Sequence, residues 1–322
     1  MLDKDAITVQ VAKKVQRAPD VYSFELVPTS GASLPEYTPG AHIDVEIEAG
    51  IVRPYSLYGD PGDRTRYCIA VKRSAESRGG SSALHSHTAV GSILRVGAPR
   101  NLFQLNSEAK PRMFLAAGIG ITPIFCMTNW LFQRGEDFCL HYSARSSREA
   151  AFYEEICSSG LRGHVTFHFS KDGSSQRIDL RALEQRMRSF AEIYVCGPAG
   201  YMKDVCETAH RAGYEPANVH CELFIGEDPR VEENSSFEVE LAKTGKILVV
   251  PPEHSVAEIL NQNGVSVGLS CGQGLCGSCL TGVLAGQIDH RDRYLTEEER
   301  SRHDCFTPCC SRALSSRLVI DL

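Results

Sequence analysis

The tightest constraint on this chain is a loop that carries three cysteines, Cys271-Gly-Gln-Gly-Leu-Cys276-Gly-Ser-Cys279, with Cys309 following at a distance. Thiolates spaced C-x4-C-x2-C…C match the ligand pattern of a plant-type [2Fe–2S] cluster, where one loop curls round the metal and a later cysteine closes the cage. Zinc sites usually show two C-x2-C halves, and this loop supplies one. Gly272, Gly274 and Gly277 give the backbone the conformations that such a curl demands. The spacing therefore implies one-electron transfer from a small metal-loop domain.

At 322 residues the chain is long for one domain and suits two or three. A formal charge of −6 argues against a nucleic-acid partner. Thirteen cysteines, no apolar leader and no run approaching about 18 apolar residues read as reduced thiols and metal ligands in a soluble, cytoplasmic protein.

The pattern along the chain changes twice. Residues 1–108 hold short strands divided by turn residues, at 7–11, 21–26, 42–47, 67–71 and 92–96, which predicts an antiparallel β-barrel. Residues 109–225 alternate strands at 113–117, 138–143, 165–169 and 193–196 with helices at 123–133, 148–157, about 180–189 and from 201. That alternation predicts an α/β domain with a parallel sheet. Residues 226–236 are polar and aperiodic and read as a linker. In 237–322, two strands flank Lys-Thr-Gly-Lys as a hairpin. A Ser255/Glu258 capping box then opens a helix, and the cysteine loop follows. This order fits an α+β β-grasp ferredoxin.

Three further motifs carry chemistry. Arg53-Pro-Tyr55-Ser56-Leu57 ends a barrel strand with a cation, an aromatic ring and a hydroxyl, which could hold a phosphate, a flat ring and a ring nitrogen. Ile69-Ala-Val71-Lys72 precedes Arg78-Gly79-Gly80-Ser81-Ser82 at a helix start, where free N–H groups and the helix dipole favour an anion. Gly118-Ile-Gly120-Ile-Thr122-Pro123 joins a strand to a helix like a dinucleotide loop, although proline replaces the third glycine. Proline suits a first helical turn because its missing N–H costs nothing there. The next strand ends in Ser143-Ala-Arg145, without the acidic residue that would hold a ribose 2′-OH. An arginine there could hold a 2′-phosphate instead. Taken singly, these motifs also have bland readings as strand, glycine turn and serine N-cap.

In this order and at these separations the motifs resemble the phthalate dioxygenase reductase family of the ferredoxin-NADP reductase superfamily, which includes vanillate demethylase reductases. The resemblance covers essentially the whole chain. It implies an FMN-binding domain whose cofactor-binding residues include Arg53, Tyr55, Ser56, Leu57, Ile69, Val71, Lys72, Gly79, Gly80, Ser81 and Ser82. Arg53 and the 79–82 loop would take the phosphate, Tyr55 would pack on the ring, and Ser56 would hydrogen-bond near N5. Gly118, Gly120, Thr122 and Pro123 would form the pyrophosphate turn, with Ser143 and Arg145 beside it. Cys196-Gly197-Pro198 would position the nicotinamide. Ser56, Cys196, Glu222 and Phe224 form the implied catalytic set, with Phe224 covering the ring. The tail Cys309-Cys310-Ser311-Arg312-Ala313 matches a Cys-Val-Ser-Arg-Ala pattern, which makes Cys309 the fourth ligand beside Cys271, Cys276 and Cys279.

The resemblance also implies a course of reaction. NADH gives hydride to FMN, and electrons leave singly through the cluster to a Rieske non-haem iron oxygenase. Arg145 leaves NADPH open, and a soluble monooxygenase or a separate ferredoxin is an alternative acceptor. The family implies a monomer. Cys139-Leu-His141 with Cys157-Ser-Ser-Gly160 imitates a Rieske site, but its last position is glycine. Thr296 with Glu299 reads as a second capping box, Met127 and Trp130 as helix-face core, and Cys68, Cys126, Cys206 and Cys305 as structural thiols.

Overall fold

The strand β1 (Ile7–Ala18) opens with alternating character, so Val9 and Val11 turn into a core while Thr8 and Gln10 do not. The computed structural model describes residues 2, 6–47, 51–73, 80–108, 110–171, 177–224, 234–269, 272, 274, 277–292 and 294–322. They form two compact units, Met1–Pro198 and Ala199–Leu322.

In the first unit, β1 joins β2 (Val21–Pro28), β3 (His42–Glu46), β4 (Val52–Ser56), β5 (Tyr67–Lys72) and, after helix α1 (Gly80–His87), β6 (Ile93–Val96). The sheet order is β4-β3-β6-β1-β2-β5, with antiparallel pairing throughout. A bridge between Leu57 and Ile69 links the two outer strands and curls the sheet into a barrel. Its interior is filled by Phe24, Leu26, Ile43, Val45, Tyr67 and their neighbours. β1 runs well past residue 11. Its polar second half is paired to β2 across a register shift between Val11 and Lys13, a bulge that polarity alone does not reveal.

The same unit continues with β7 (Arg112–Ala117), α2 (Ile121–Gln133), β8 (Phe138–Ala144), α3 (Tyr153–Ser158), β9 (Val165–Phe169), α4 (Leu180–Met187) and β10 (Glu192–Cys196). Strands β10, β7, β8 and β9 lie in that order, all parallel. The helix expected over 148–157 is shorter. A 3₁₀ turn at Ser147–Glu149 gives way to Phe152 in the left-handed region at φ 64, and the α-helix starts at Tyr153. Packing overrides helix propensity here. The buried Phe152 ring stacks on Phe125 at 4.8 Å and lies 4.7 Å from Tyr58. Met127 is core as expected, but Trp130 is only half-buried and holds the Arg134 guanidinium 3.3 Å from its ring centre.

The second unit begins with α5 (Ala199–Arg211) and β11 (Val219–Glu222). Then come β12 (Phe237–Leu241), β13 (Ile247–Val250), α6 (Val256–Gln262), β14 (Thr281–Ala285), β15 (Ile288–Asp289), α7 (Glu297–Arg302), β16 (Cys305–Phe306), β17 (Arg312–Ala313) and β18 (Arg317–Ile320). The order β13-β12-β18-β14-β16 puts the predicted hairpin at one edge and a parallel β12/β18 pair beside it, with Val256, Ile259 and Leu260 of α6 in the core. This is the β-grasp arrangement. Both capping boxes form, at Ser255 with Glu258 and at Thr296 with Glu299. Of the expected linker, residues 226–233 lie outside the described residues.

Candidate functional site

The barrel delivers Arg53 to the start of α1. A side-chain carbon added to Gly80 would stand 3.1 Å from Arg53 Cγ and 3.7 Å from its Nε. A side chain at this position would have to push the arginine stem back by a few tenths of an ångström, so glycine suits the close approach. A fixed cation beside a helix N-terminus with no acidic residue in its first turn suits a phosphate. His85 and His87 occupy the last turn, the end where positive charge belongs. Ser56 is buried at the end of β4. Tyr55 beside it is half-buried, and burial pushes its hydroxyl up to about 12 against the opposing pull of Arg53. Leu57, Ile69 and Val71 turn their side chains into the barrel core. Lys72 is exposed at the end of β5, and Ser81 and Ser82 are half-exposed in the first turn of α1. Gly79 lies outside the described residues.

The parallel strands define a second locus. From β7 the chain builds outward through β8 to β9, then returns to place β10 on the other side of β7. In open α/β sheets, ligands bind at the strand carboxyl ends where the order reverses, and here that point lies between β7 and β10. The register sets Cys196 against Ala116, and Ala117 against Ser143. Gly118 takes φ +56, and a side-chain carbon on Gly120 would sit 2.4 Å from Cys196 O and 2.7 Å from Gly197 N. The glycine turn and the Cys196-Gly197-Pro198 segment are therefore in direct backbone contact. Thr122 spends its hydroxyl on Ile119 O at 3.0 Å, and Pro123 falls within the first turn of α2. Ser143 Oγ is buried with no hydrogen-bond partner among the described residues, as a hydroxyl kept for a ligand would be. Arg145 is largely exposed, 3.8 Å from the Glu149 carboxylate. Sequence reasoning missed Tyr142, whose single O–H is shared between Gly118 O at 3.3 Å and Ala151 O at 3.2 Å and so props the turn.

His141 does not join a metal site with Cys139 and Cys157. Its Nδ1 lies 2.9 Å from His168 Nε2, while Cys157 is exposed on α3.

In the second unit, Cys279 Sγ and Cys309 Sγ stand 3.3 Å apart, and the Gly274 N–H donates to Cys309 Sγ at 3.2 Å. The Cys310 thiol also meets that of Cys309. Its sulfur lies 3.3 Å from Thr307 Oγ1 and 2.4 Å from where a side chain on Gly274 would begin. Gly272, Gly274 and Gly277 all take positive φ, between 63° and 69°, as the tight curl requires. Cys271 and Cys276 lie outside the described residues. Two adjacent thiols with a backbone N–H aimed at sulfur fit one side of a [2Fe–2S] cage. Glu222 ends β11, and Phe224 just beyond it is 44% exposed, available to cover a planar ligand.

A barrel with a phosphate cradle, a parallel sheet with a dinucleotide turn and a β-grasp cysteine unit together define a flavin-containing iron–sulfur reductase that oxidises NADH. Residues 239–314 match the family of 2Fe-2S iron-sulfur cluster binding domains. The chain is 42% identical over 305 residues to a vanillate O-demethylase oxidoreductase of Pseudomonas sp. (strain HR199 / DSM 7063), covering 95% of this chain and 96% of that one. It is 36% identical over 323 residues to a phthalate 4,5-dioxygenase reductase subunit of Pseudomonas putida, covering 100% and 98%. The solved structure of a phthalate dioxygenase reductase superposes with a TM-score of 0.66 at 35% identity, over 99% of this chain and 98% of that one. The chain belongs to the phthalate dioxygenase reductase family.

Proposed function

We propose that this protein is the reductase component of a two-component Rieske-type aromatic-ring oxygenase or demethylase, using NADH, FMN and a [2Fe–2S] cluster. The observation that carries this reading is near full-length identity of 42% to a vanillate O-demethylase oxidoreductase, combined with all three cofactor loci in a single chain. When bound, a flavin accepts hydride from a nicotinamide and yields its electrons singly to a one-electron centre.

The residues divide that work. Arg53, Gly80, Ser81 and Ser82 neutralise and orient the flavin phosphate. Tyr55 packs on the ring, and the Ser56 hydroxyl, fixed on a buried strand end, hydrogen-bonds at its reactive edge. Gly118 and Gly120 let backbone N–H groups meet the pyrophosphate, and Ser143 takes a ribose hydroxyl. Cys196, at the carboxyl end of its strand, orients the nicotinamide ring. Cys271, Cys276, Cys279 and Cys309 hold the cluster. NADH is taken over NADPH on the family resemblance, and Arg145, exposed 3.8 Å from the Glu149 carboxylate, is the residue a 2′-phosphate would meet. The reading includes a monomer acting in the cytoplasm; among the described residues no helix is long and apolar enough to cross a membrane.

The test is anaerobic. One equivalent of NADH is added to purified protein, visible and low-temperature EPR spectra are recorded, and a purified oxidised Rieske oxygenase component is then mixed in. Bleaching of the flavin, a rhombic [2Fe–2S] signal and its loss to the oxygenase are expected. A cluster that NADH leaves oxidised would refute the reading.

A further inference from the structure

The cysteine loop rests on a short segment that no motif marks. A side-chain carbon on Gly274 would lie 2.8 Å from Asp292 Cα and 2.9 Å from its Cβ, so the Asp292 backbone is pressed against the middle of the arch between Cys271 and Cys276. Gly277, which follows Cys276, has its open side filled by the Tyr294 ring, with ring carbons 2.4–2.6 Å from where a Cβ would stand. Asp292 also fixes Tyr294. Its Oδ2 accepts the N–H of Tyr294 at 3.1 Å and that of Leu295 at 2.7 Å, and Lys203 Nζ donates to Tyr294 O at 2.9 Å.

The carboxylate that makes this turn is almost wholly buried, at 3% exposure. Arg300 Nη2 stands 3.6 Å from Oδ2, and His290 Nδ1 stands 3.6 Å from Oδ1. Oδ1 accepts no hydrogen bond from the described residues. A buried carboxylate is tolerated where hydrogen bonds and a cation compensate it, as the two N–H groups and Arg300 do here. Gly274, against which Asp292 packs, donates its N–H to Cys309 Sγ at 3.2 Å, so Asp292 neighbours the residue that bonds a ligand sulfur.

We propose that Asp292 is a positioning residue of the iron–sulfur centre. Its backbone and its two turn hydrogen bonds seat the cysteine arch, and its buried charge, balanced by Arg300, makes an added electron on the cluster less favourable. The inference rests on the iron–sulfur assignment. Negative charge near a reducible centre lowers its potential, and the low dielectric of the interior extends the reach of that charge.

The test is an EPR-monitored redox titration of the whole protein. In D292N the amide oxygen can still accept both N–H groups, so the arch stays seated while the charge is lost. R300Q removes the balancing cation, and its amide can still donate to Asp292 O, which Arg300 Nη2 bonds in the wild type. E253Q, at an exposed position of the same unit, is the control. D292N should raise the cluster midpoint and R300Q should lower it. Each shift should equal a threefold to tenfold change in the one-electron equilibrium, where tenfold is about 59 mV, and E253Q should match wild type. Unchanged midpoints in D292N and R300Q, or shifts in the same direction, overturn the proposal. If D292N loses the cluster, R300Q decides alone, and a wild-type midpoint there overturns it. A wild-type protein with no [2Fe–2S] signal refutes the iron–sulfur assignment, and this inference with it.

Discussion

Arg112 and Glu192 are directly paired across β7 and β10, and their side chains meet inside the first unit with Nε 3.4 Å from Oε2. Both are almost wholly buried, at 1% and 3% side-chain exposure. Arg112 also reaches Glu136 at 2.9 Å and Asn106 O at 2.8 Å. The pair lies at the amino ends of the strands, opposite the glycine turn, so stability and nucleotide binding are separable on this sheet. Removing Glu192 leaves the buried Arg112 with Glu136 alone and strips the bonds that Asn106 and Tyr194 make to Glu192; breaking a buried pair from one side typically costs about 3–5 kcal/mol. E192A should lose that much in urea unfolding followed by circular dichroism, while its folded fraction is reduced by NADH at the wild-type rate.

The contact between Gly120 and Cys196 makes the opposite prediction. A methyl group there would need to share space with Cys196 O at 2.4 Å, so the turn or the strand end must move. Gly120 has an ordinary helical φ of −61, so G120A tests the close approach alone and not backbone strain. Displacements of about 1 Å in a substrate-positioning element can cost roughly 100-fold. Stopped-flow flavin reduction at varied NADH should show a rise of roughly 10- to 100-fold in apparent Kd, with flavin content and cluster content unchanged.

Much of this could be read from the residues because the informative ones act locally. A positive φ or a helix cap is set by its immediate neighbours, so the left-handed glycines 272, 274 and 277, both capping boxes and the strand-to-helix turn at Gly118 were visible in the chain. What stayed hidden was long-range. Nothing near Phe152 says that its ring must pack on Tyr58 and Phe125, and that packing breaks the predicted helix. Nothing near Asp292 says that Gly274 lies against it. In both cases the deciding partner is distant in sequence, and only the closed fold supplies it.

Acid should weaken the sheet through one buried pair. His141 is 3% exposed and bonded to His168. Burial, then the neighbouring His168 and Arg186, push its imidazole down to about 4, and burial lowers His168 as well. Unfolded, His141 takes up a proton near pH 6.5, whereas folded it stays neutral until about pH 4. The unfolded state therefore holds more protons between those values. Stability is complete above about pH 6.5 and falls as the pH drops toward 4, by at most about 3 kcal/mol for this residue. Thermal melts from pH 7.5 to 4.5 should show wild type losing more stability than H141Q. Parallel curves for the two proteins would remove His141 as the cause.

The two adjacent cysteines near the C-terminus should respond to substitution in opposite ways. Cys309 Sγ faces Cys279 Sγ at 3.3 Å and receives the Gly274 N–H, whereas Cys310 Sγ lies against Thr307 Oγ1 and the flank of Gly274. A serine at 309 replaces a soft thiolate with a hard oxygen in the cage, which iron–sulfur chemistry disfavours. A serine at 310 keeps a small polar group that can still bond Thr307. C309S should therefore purify with little or no [2Fe–2S] absorbance and EPR signal, while C310S keeps the full cluster content. G274A attacks the same geometry from the other side, since its φ of +68 and its contacts with Cys310 and Asp292 leave no room for a methyl group. It should lose cluster as C309S does while leaving both capped helices of the unit folded. The reverse pattern, with C310S empty and C309S loaded, would exchange the roles of the two thiols and require the arch to close on Cys310.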